Sequence, residues 1–339
     1  MEDKLLGKTP LVKLNSLFQH NVYAKLEYYN PTFSVKDRAA YNMIENAVRG
    51  GKVSRGGTVI EATSGNTGLG ICYAAIKFGL HVICTVFDNV PIEKINLLRA
   101  FGATVIVCPS SYESSGLQGY VGIARRLADN IENSFYVDQF SNEYNVQAHY
   151  ISTGPELLKQ MDRKIDYFFS TIGTGGTISG VGKYLKENTN AKVIGVEPIG
   201  GIYKNYFRGK DAKFVDHLIQ SISDDFISNN FYKEYVDDVI QVSDEKSFEM
   251  CYKLLKMEGL CVGTSSGCVC TAIESYLANN ISKEARIACI FPDMGLKYMD
   301  TLFNREFLDK NGICIDMNNE GGENAKKYIK EHDIDAFVF

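Results

Sequence analysis

The chain has 339 residues, 45% of them hydrophobic, enough to bury a large core and to divide into two domains. A formal net charge of −5 leaves no basic field for nucleic acid or an anionic membrane, so the expected partner is a small molecule. Nine cysteines lie mostly in apolar runs such as Ile83-Cys84-Thr85, with an odd count and no C-x-x-C pair, which argues against a disulfide framework or a metal site.

The charged start, Met1-Glu2-Asp3-Lys4, shows no apolar signal region, and no apolar run approaches the ~20 residues of a membrane span. A cytoplasmic location is expected. The first distinctive segment is Asn30-Pro31-Thr32-Phe33-Ser34-Val35-Lys36-Asp37-Arg38, an extended approach turning into a helix predicted over 39–49. A strand at 58–62 leads through Thr63-Ser64-Gly65-Asn66-Thr67-Gly68 into a helix at 67–78. Strands at 81–87 and 104–107 and a helix at 122–131 follow. A strand at 167–172 then runs through Gly173-Thr174-Gly175-Gly176-Thr177 into a helix at 178–187, and a strand follows at 192–197. The stretch 200–230 is irregular and polar, as long functional loops are. Helices at 245–257 and 269–279 and a strand at 286–291 complete the regular part, and the charged tail beyond Cys314 reads as a surface appendage. Strands alternate with amphipathic helices, and several strands are apolar on both faces. That pattern predicts an α/β fold with parallel sheets, in one βαβ set over about 40–138 and a second from about 166 to 300.

Three segments carry chemistry. Glycines at 173, 175 and 176 let the backbone approach an anion at a helix N-terminus, where free amides and the helix dipole favour negative charge. The same loop reads equally as a tight strand-to-helix turn. A dinucleotide fingerprint is a poor match, because Gly180 comes too late after Gly173 and Gly175 and no second nucleotide half follows. The 63–68 loop offers hydroxyls and an amide suited to a carboxylate or a ring oxygen, or simply an N-cap with a glycine turn. Lys36 alone is an ordinary solvated lysine; at a helix start between Ser34 and Asp37 it becomes a candidate Schiff-base amine. An amine, a carboxylate cradle and a phosphate cradle in this order are the parts that hold pyridoxal 5′-phosphate and an amino acid. The five histidines are scattered, so no Ser-His-Asp set is argued.

With these residues in hand, the chain resembles the cysteine synthase / cystathionine β-synthase family of fold-type II pyridoxal-phosphate enzymes over about residues 5–305. The matching motifs are Gly7-Lys8-Thr9-Pro10, Ser34-Val35-Lys36-Asp37-Arg38, the 63–68 loop, Gln139, the 173–177 loop, Gly263-Thr264-Ser265-Ser266-Gly267 and Pro292-Asp293-x-Gly295. The resemblance implies two three-layer αβα domains with mostly parallel twisted sheets and the cofactor in the cleft between them. It implies a smaller, mobile domain at 38–142, a larger one made of 1–37 plus 143–310, an appendage at 311–339, and a homodimer. By the same resemblance Lys36 forms the Schiff base, Asn66 bonds the ring hydroxyl, and Gly173, Thr174, Gly175, Gly176 and Thr177 hold the phosphate. Ser265 faces the pyridine nitrogen, Pro292 adjoins the cofactor, and Thr63, Ser64, Asn66, Thr67 and Gln139 bind the substrate carboxylate.

One departure matters. Cysteine synthases carry Gly-Ile-Gly-Ala-Gly-Phe and cystathionine synthases Gly-Ile-Gly-Tyr-Asp-Phe where this chain has Ser221-Ile222-Ser223-Asp224-Asp225-Phe226. The arrangement looks most like that of bacterial cysteine lyases that release hydrogen sulfide and leave serine through an aminoacrylate, and it makes Asp224 and Asp225 catalytic candidates. Diaminopropionate-precursor synthases are similar through Lys25-Leu26-Glu27-Tyr28 and Ile165-Asp166-Tyr167-Phe168. Cysteine synthase, with O-acetylserine and sulfide, and cystathionine or lanthionine synthesis stand as alternatives. A nicotinamide dehydrogenase is the remote one.

Overall fold

The computed structural model describes residues 3–63, 65–113, 116–211, 213–278, 281–315, 325 and 328–331. The chain runs β1 (Leu11–Lys13), β2 (Asn21–Leu26), α1 (Lys36–Arg49), β3 (Thr58–Ala62), α2 (Asn66–Phe78) and β4 (His81–Phe87). It continues through α3 (Ile92–Ala100), β5 (Thr104–Cys108), α4 (Tyr120–Asn130), β6 (Ser134–Tyr136), α5 (Glu143–Ala148), a π-helical turn at His149–Thr153 and α6 (Gly154–Gln160). Then come β7 (Tyr167–Thr171), α7 (Gly176–Asn188), β8 (Lys192–Pro198), α8 (Tyr203–Phe207) and β9 (Asp238–Val242). The last elements are α9 (Asp244–Glu258), α10 (Thr264–Leu277), β10 (Arg286–Phe291) and α11 (Arg305–Lys310).

These elements form two sheets flanked by helices. The six-stranded sheet has the order β1-β2-β10-β7-β8-β9, and the four-stranded sheet β5-β4-β3-β6. Every pairing is parallel except β1 with β2. Helical layers on both faces explain why β10 is apolar after Arg286: Ile287, Ala288, Cys289, Ile290 and Phe291 are all buried between neighbouring strands and two layers. Full burial of such side chains is worth about 1.5–3 kcal/mol each for the larger ones, which fixes the strand at the centre of its sheet.

Helix ends follow local chemistry. The Ser243 side chain caps α9 by accepting from the Lys246 amide, Asp244 and Glu245 occupy the first turn, and left-handed Gly259 closes the helix. The helix predicted from 39 begins at Lys36 instead. The Asp37 carboxylate folds back on the Thr32 amide (2.6 Å) and hydroxyl, closing the 32–37 turn and placing Lys36 in the first helical turn.

Two regions extend the expected outline. The stretch 200–230 contains the short α8, and Leu308, Ile313 and Ile315 are buried in the core of the six-stranded sheet. The chain therefore stays with that sheet through 315; most of the tail lies outside the described residues. All nine cysteines are free thiols. Among the described residues no helix is long and apolar enough to cross a membrane, and no cluster of acidic, Cys and His groups can hold a metal ion.

Candidate active site

The loops singled out in the sequence leave the carboxyl ends of parallel strands, where ligands sit in open α/β sheets. Residues 63–65 join β3 to α2, 172–175 join β7 to α7, and 292–294 leave β10. The segment before α1 is stitched to the last of these: the Val35 amide donates to the Pro292 carbonyl (2.8 Å) and Ser34 forms a bridge with Asp293. Lys36 is thereby held over the end of β10.

A small cavity of about 30 Å³ opens there, lined by Lys36, Asn66, Gly173, Thr174, Gly175 and Thr177 among others, with Ser221, Ser265, Pro292 and Asp293 on its remaining walls. A second cavity of about 60 Å³ shares Lys36, Asn66, Thr174 and Ser221 with the first, and adds Thr63, Thr67, Tyr120, Gln139, Phe140 and Asp224. The two spaces meet at the Lys36 side chain. Burial lowers the Lys36 pKa, and the charges of Asp293 and Asp224 oppose that fall.

The 173–177 loop is shaped for close backbone approach. Gly175 has φ +81°, and a Cβ there would lie 2.7 Å from the Phe231 amide nitrogen. The first intrahelical bond of α7 runs from the Ser179 amide to the Gly175 carbonyl (3.0 Å), so the preceding amides are free to face the cavity. Two buried side chains that sequence reasoning missed support this loop. The Asn145 amide donates to the Thr174 hydroxyl (3.1 Å) and to the Gln139 carbonyl (2.8 Å). His149 bridges the Thr177 hydroxyl (3.3 Å) and the Thr153 hydroxyl (2.9 Å), and burial pushes its pKa down to about 3, so it is neutral at physiological pH. Their signal was only the bare Asn and His of 145–149, unmarked without knowledge of which helix packs on α7.

In the second cavity the Thr67 hydroxyl donates to Gln139 Oε1 (2.6 Å), and Gln139 Nε2 donates to the Ala62 carbonyl (3.2 Å). Thr63 Oγ1 accepts from the amides of Gly65 (3.2 Å) and Gly68 (3.3 Å), so it also serves as the loop's own cap. Ser64 lies outside the described residues. Asp224 is half-buried in the cavity wall, and its pKa rises to about 6, first through burial and then through Asp225, against the pull of Lys36. Asp225 itself is exposed and lines neither cavity. It reaches the site only as a charge.

The loop that carries Asp224 is unusual. Ser221 (φ 65°) and Ser223 (φ 55°) are both left-handed, a conformation that favours glycine. Ser223 is held by its amide bond to the Ile172 carbonyl (2.9 Å) and its hydroxyl bond to Glu197 (3.2 Å). The Ser221 carbonyl lies where a Cβ on Gly173 would come within 2.7 Å, so this loop closes over the end of β7.

The donor set fits pyridoxal 5′-phosphate. A poorly solvated amine suits the aldehyde, a 13-residue helix with free N-terminal amides suits the phosphate, and the buried Ser265 hydroxyl suits a ring nitrogen that carries no proton.

Comparison with known proteins agrees with this geometry. The family model described as "Pyridoxal-phosphate dependent enzyme" matches residues 3–293. Cystathionine beta-synthase of Saccharomyces cerevisiae is 34% identical over 327 residues, covering 92% of this chain and 64% of that protein. The Dictyostelium discoideum protein of the same name is 36% identical over 314 residues, covering 91% and 62%. Cysteine synthase of Staphylococcus aureus is 36% identical over 304 residues, covering 88% of this chain and 94% of that one. The chain thus spans a little under two thirds of the length of these cystathionine synthases. It belongs to the family of pyridoxal-phosphate dependent enzymes, and pyridoxal 5′-phosphate is its cofactor.

Proposed function

We propose that the protein is a β-replacement enzyme that takes L-cysteine, releases hydrogen sulfide and adds water to give L-serine. The Cβ–S bond breaks, sulfide leaves with a proton as hydrogen sulfide, and the oxygen of water forms the new Cβ–O bond after giving up a proton. The cofactor supplies the electron sink that makes loss of a β-substituent possible. Lys36 binds it through the ε-amine and afterwards carries the Cα proton. The free amides and hydroxyls of 173–177 hold the phosphate, Pro292 adjoins the cofactor, and Thr63, Ser64, Asn66, Thr67 and Gln139 hold the substrate carboxylate. Ser265, a neutral hydroxyl, leaves the ring nitrogen uncharged and so favours expulsion of the β-substituent over transamination.

The observation that carries the reading is Asp224: a carboxyl group in the wall of the second cavity with its pKa lifted to about 6. Near neutral pH it is ionised yet basic enough to take a proton from water, which a thiol nucleophile needs far less. Asp225 contributes by repulsion. In this reading a smaller, mobile unit at 38–142 and a larger one of 1–37 plus 143–310 close on the substrate, a division supported by the distribution of strands between the two sheets. It includes a cytoplasmic homodimer. A second reading, cysteine synthesis from O-acetylserine and sulfide, is favoured by the 94% coverage of the Staphylococcus aureus protein. Supplying the purified holoenzyme with cysteine, serine and O-acetylserine in turn separates the two. Serine and sulfide from cysteine alone support the first; cysteine formed only from O-acetylserine plus sulfide supports the second.

A further inference from the structure

Asn66 opens α2 beside the four-stranded sheet, whereas Asp293 and Lys297 follow β10 of the six-stranded sheet. The Asn66 side chain joins them. Its Nδ2 donates to Asp293 Oδ2 (2.7 Å), and its Oδ1 accepts from Lys297 Nζ (2.6 Å). Lys297 is anchored by a second bond to the Thr32 carbonyl (2.8 Å), and the Tyr298 hydroxyl donates to the same Asp293 oxygen (2.6 Å). An ammonium only donates and a carboxylate only accepts, so this pair fixes which end of the amide is which. The carbonyl end faces Lys297, one N–H is spent on Asp293, and the other N–H remains for the cavity that Asn66 lines.

We propose that Lys297 is a positioning residue: by holding the Asn66 carbonyl, it makes the amide present a donor, and not an acceptor, to the ring oxygen of the bound cofactor. The inference rests on the reading of Asn66 as the ligand of that oxygen. Without Lys297 one of the two bonds that fix the amide is lost, and only Asp293 still opposes a turn of its lone pairs toward an oxygen that carries negative charge, a turn that would convert an attraction into a repulsion. Lys94 is no substitute, since its ammonium is bonded to Gln220 and stands over the Tyr298 ring, 5.6 Å from the centroid. The charged groups that bear on Lys297 are Asp293 and Asp37, which favour its ammonium form, and Lys94 and Lys36, which together with burial disfavour it.

The test uses the full-length holoenzyme and the variants Lys297→Met, Lys297→Arg and Asn66→Ala. The readouts are the pH titration of the bound cofactor's visible absorbance, the cofactor dissociation constant and the thermal midpoint. Lys297→Met should move the absorbance titration by about one pH unit, in the same direction as Asn66→Ala, and weaken cofactor binding by about tenfold, as expected for loss of one charge-assisted hydrogen bond. Lys297→Arg, which keeps a cationic donor, should stay near the wild type in both. A merely structural lysine would lower the thermal midpoint and leave the titration in place. If Asn66→Ala shifts the titration and Lys297→Met does not, the positioning role is overturned; if Asn66→Ala does not shift it, the reading of Asn66 fails first. Lys297→Ala, whose lost volume opens onto the apolar groove beside α3, carries the same expectation where the methionine variant does not fold.

Discussion

At Asp224 burial and the neighbouring Asp225 charge raise the pKa to about 6, while Lys36 draws it down. Two consequences follow from the sign of that shift. Serine formation from cysteine should rise as pH increases through about 6, where the carboxylate base appears. Asp224→Asn should remove this acidic limb and slow serine formation by about 10²-fold or more, the usual range for a general base, with cofactor absorbance unchanged. Asp37 has a similar pKa of about 6 but is bound to Thr32 inside its turn, so the asparagine variant at 224 identifies which carboxyl is responsible. Stability moves the other way. Because the folded pKa lies above the unfolded value, the contribution is complete below about pH 4 and is lost as pH rises through about 6. Asp224→Asn should therefore raise the thermal midpoint at pH 8 and not at pH 4. The candidate was visible in the sequence because an acidic residue replaces the expected small or aromatic one; its depth in the cavity and the exposure of Asp225 were not.

The loops behave as elements whose backbone decides what they bind. Gly175 must be left-handed, and a side chain there meets the backbone of Asn230 and Phe231. Gly175→Asp should abolish cofactor retention through both strain and charge at the helix start, and Gly175→Ala isolates the strain, at a cost on the order of 1–2 kcal/mol for the left-handed residue. Equilibrium dialysis with pyridoxal phosphate reads both; retention of cofactor by the aspartate variant would contradict the phosphate assignment. Elements with a strong local pattern were legible: β4 and β10 coincide with the predicted 81–87 and 286–291, since each is a short apolar run with clear flanks. β1 is three residues long and α3 mixes Ile92, Glu93, Lys94, Ile95 and Asn96 with no sustained apolar stripe, so neither announces itself. The π-helical turn at His149–Thr153 is set by packing against α7, where Gly180 admits His149, and local sequence has no means to specify it.

Across the whole molecule the start of α1 is tied down by buried charge. Arg38 grips Glu27 through two bonds (2.7 and 2.8 Å) and reaches Glu156 (3.0 Å), while fully buried Lys25 meets Glu156 and Gln160 at 2.8 Å each. Burial alone would raise the Glu27 pKa, but Arg38, Lys25 and Thr9 bring it down to about 2. This network joins β2 of the larger sheet to the helix that carries Lys36, so the Lys36 amine is placed by long-range contacts as well as by its own segment. Arg38→Met should cost about 3–5 kcal/mol, because it leaves Glu27 buried without its partner. Chemical denaturation at pH 7 measures the loss. A depressed carboxylate pKa stabilises above the unfolded value, so the wild-type contribution should fade as pH drops from about 4.5 toward 2. The two-sheet α/β class was legible from alternation of strands and helices, whereas the return of the N-terminal strands to the second sheet depends on pairing between β2 and β10, far apart in sequence.

The most direct test of water addition is to incubate the holoenzyme with L-cysteine in water enriched in ¹⁸O and analyse the amino-acid product by mass spectrometry. The account predicts serine carrying one ¹⁸O in its hydroxyl group, formed in step with sulfide. Sulfide without labelled serine, or no reaction until O-acetylserine or a second thiol is supplied, would contradict it.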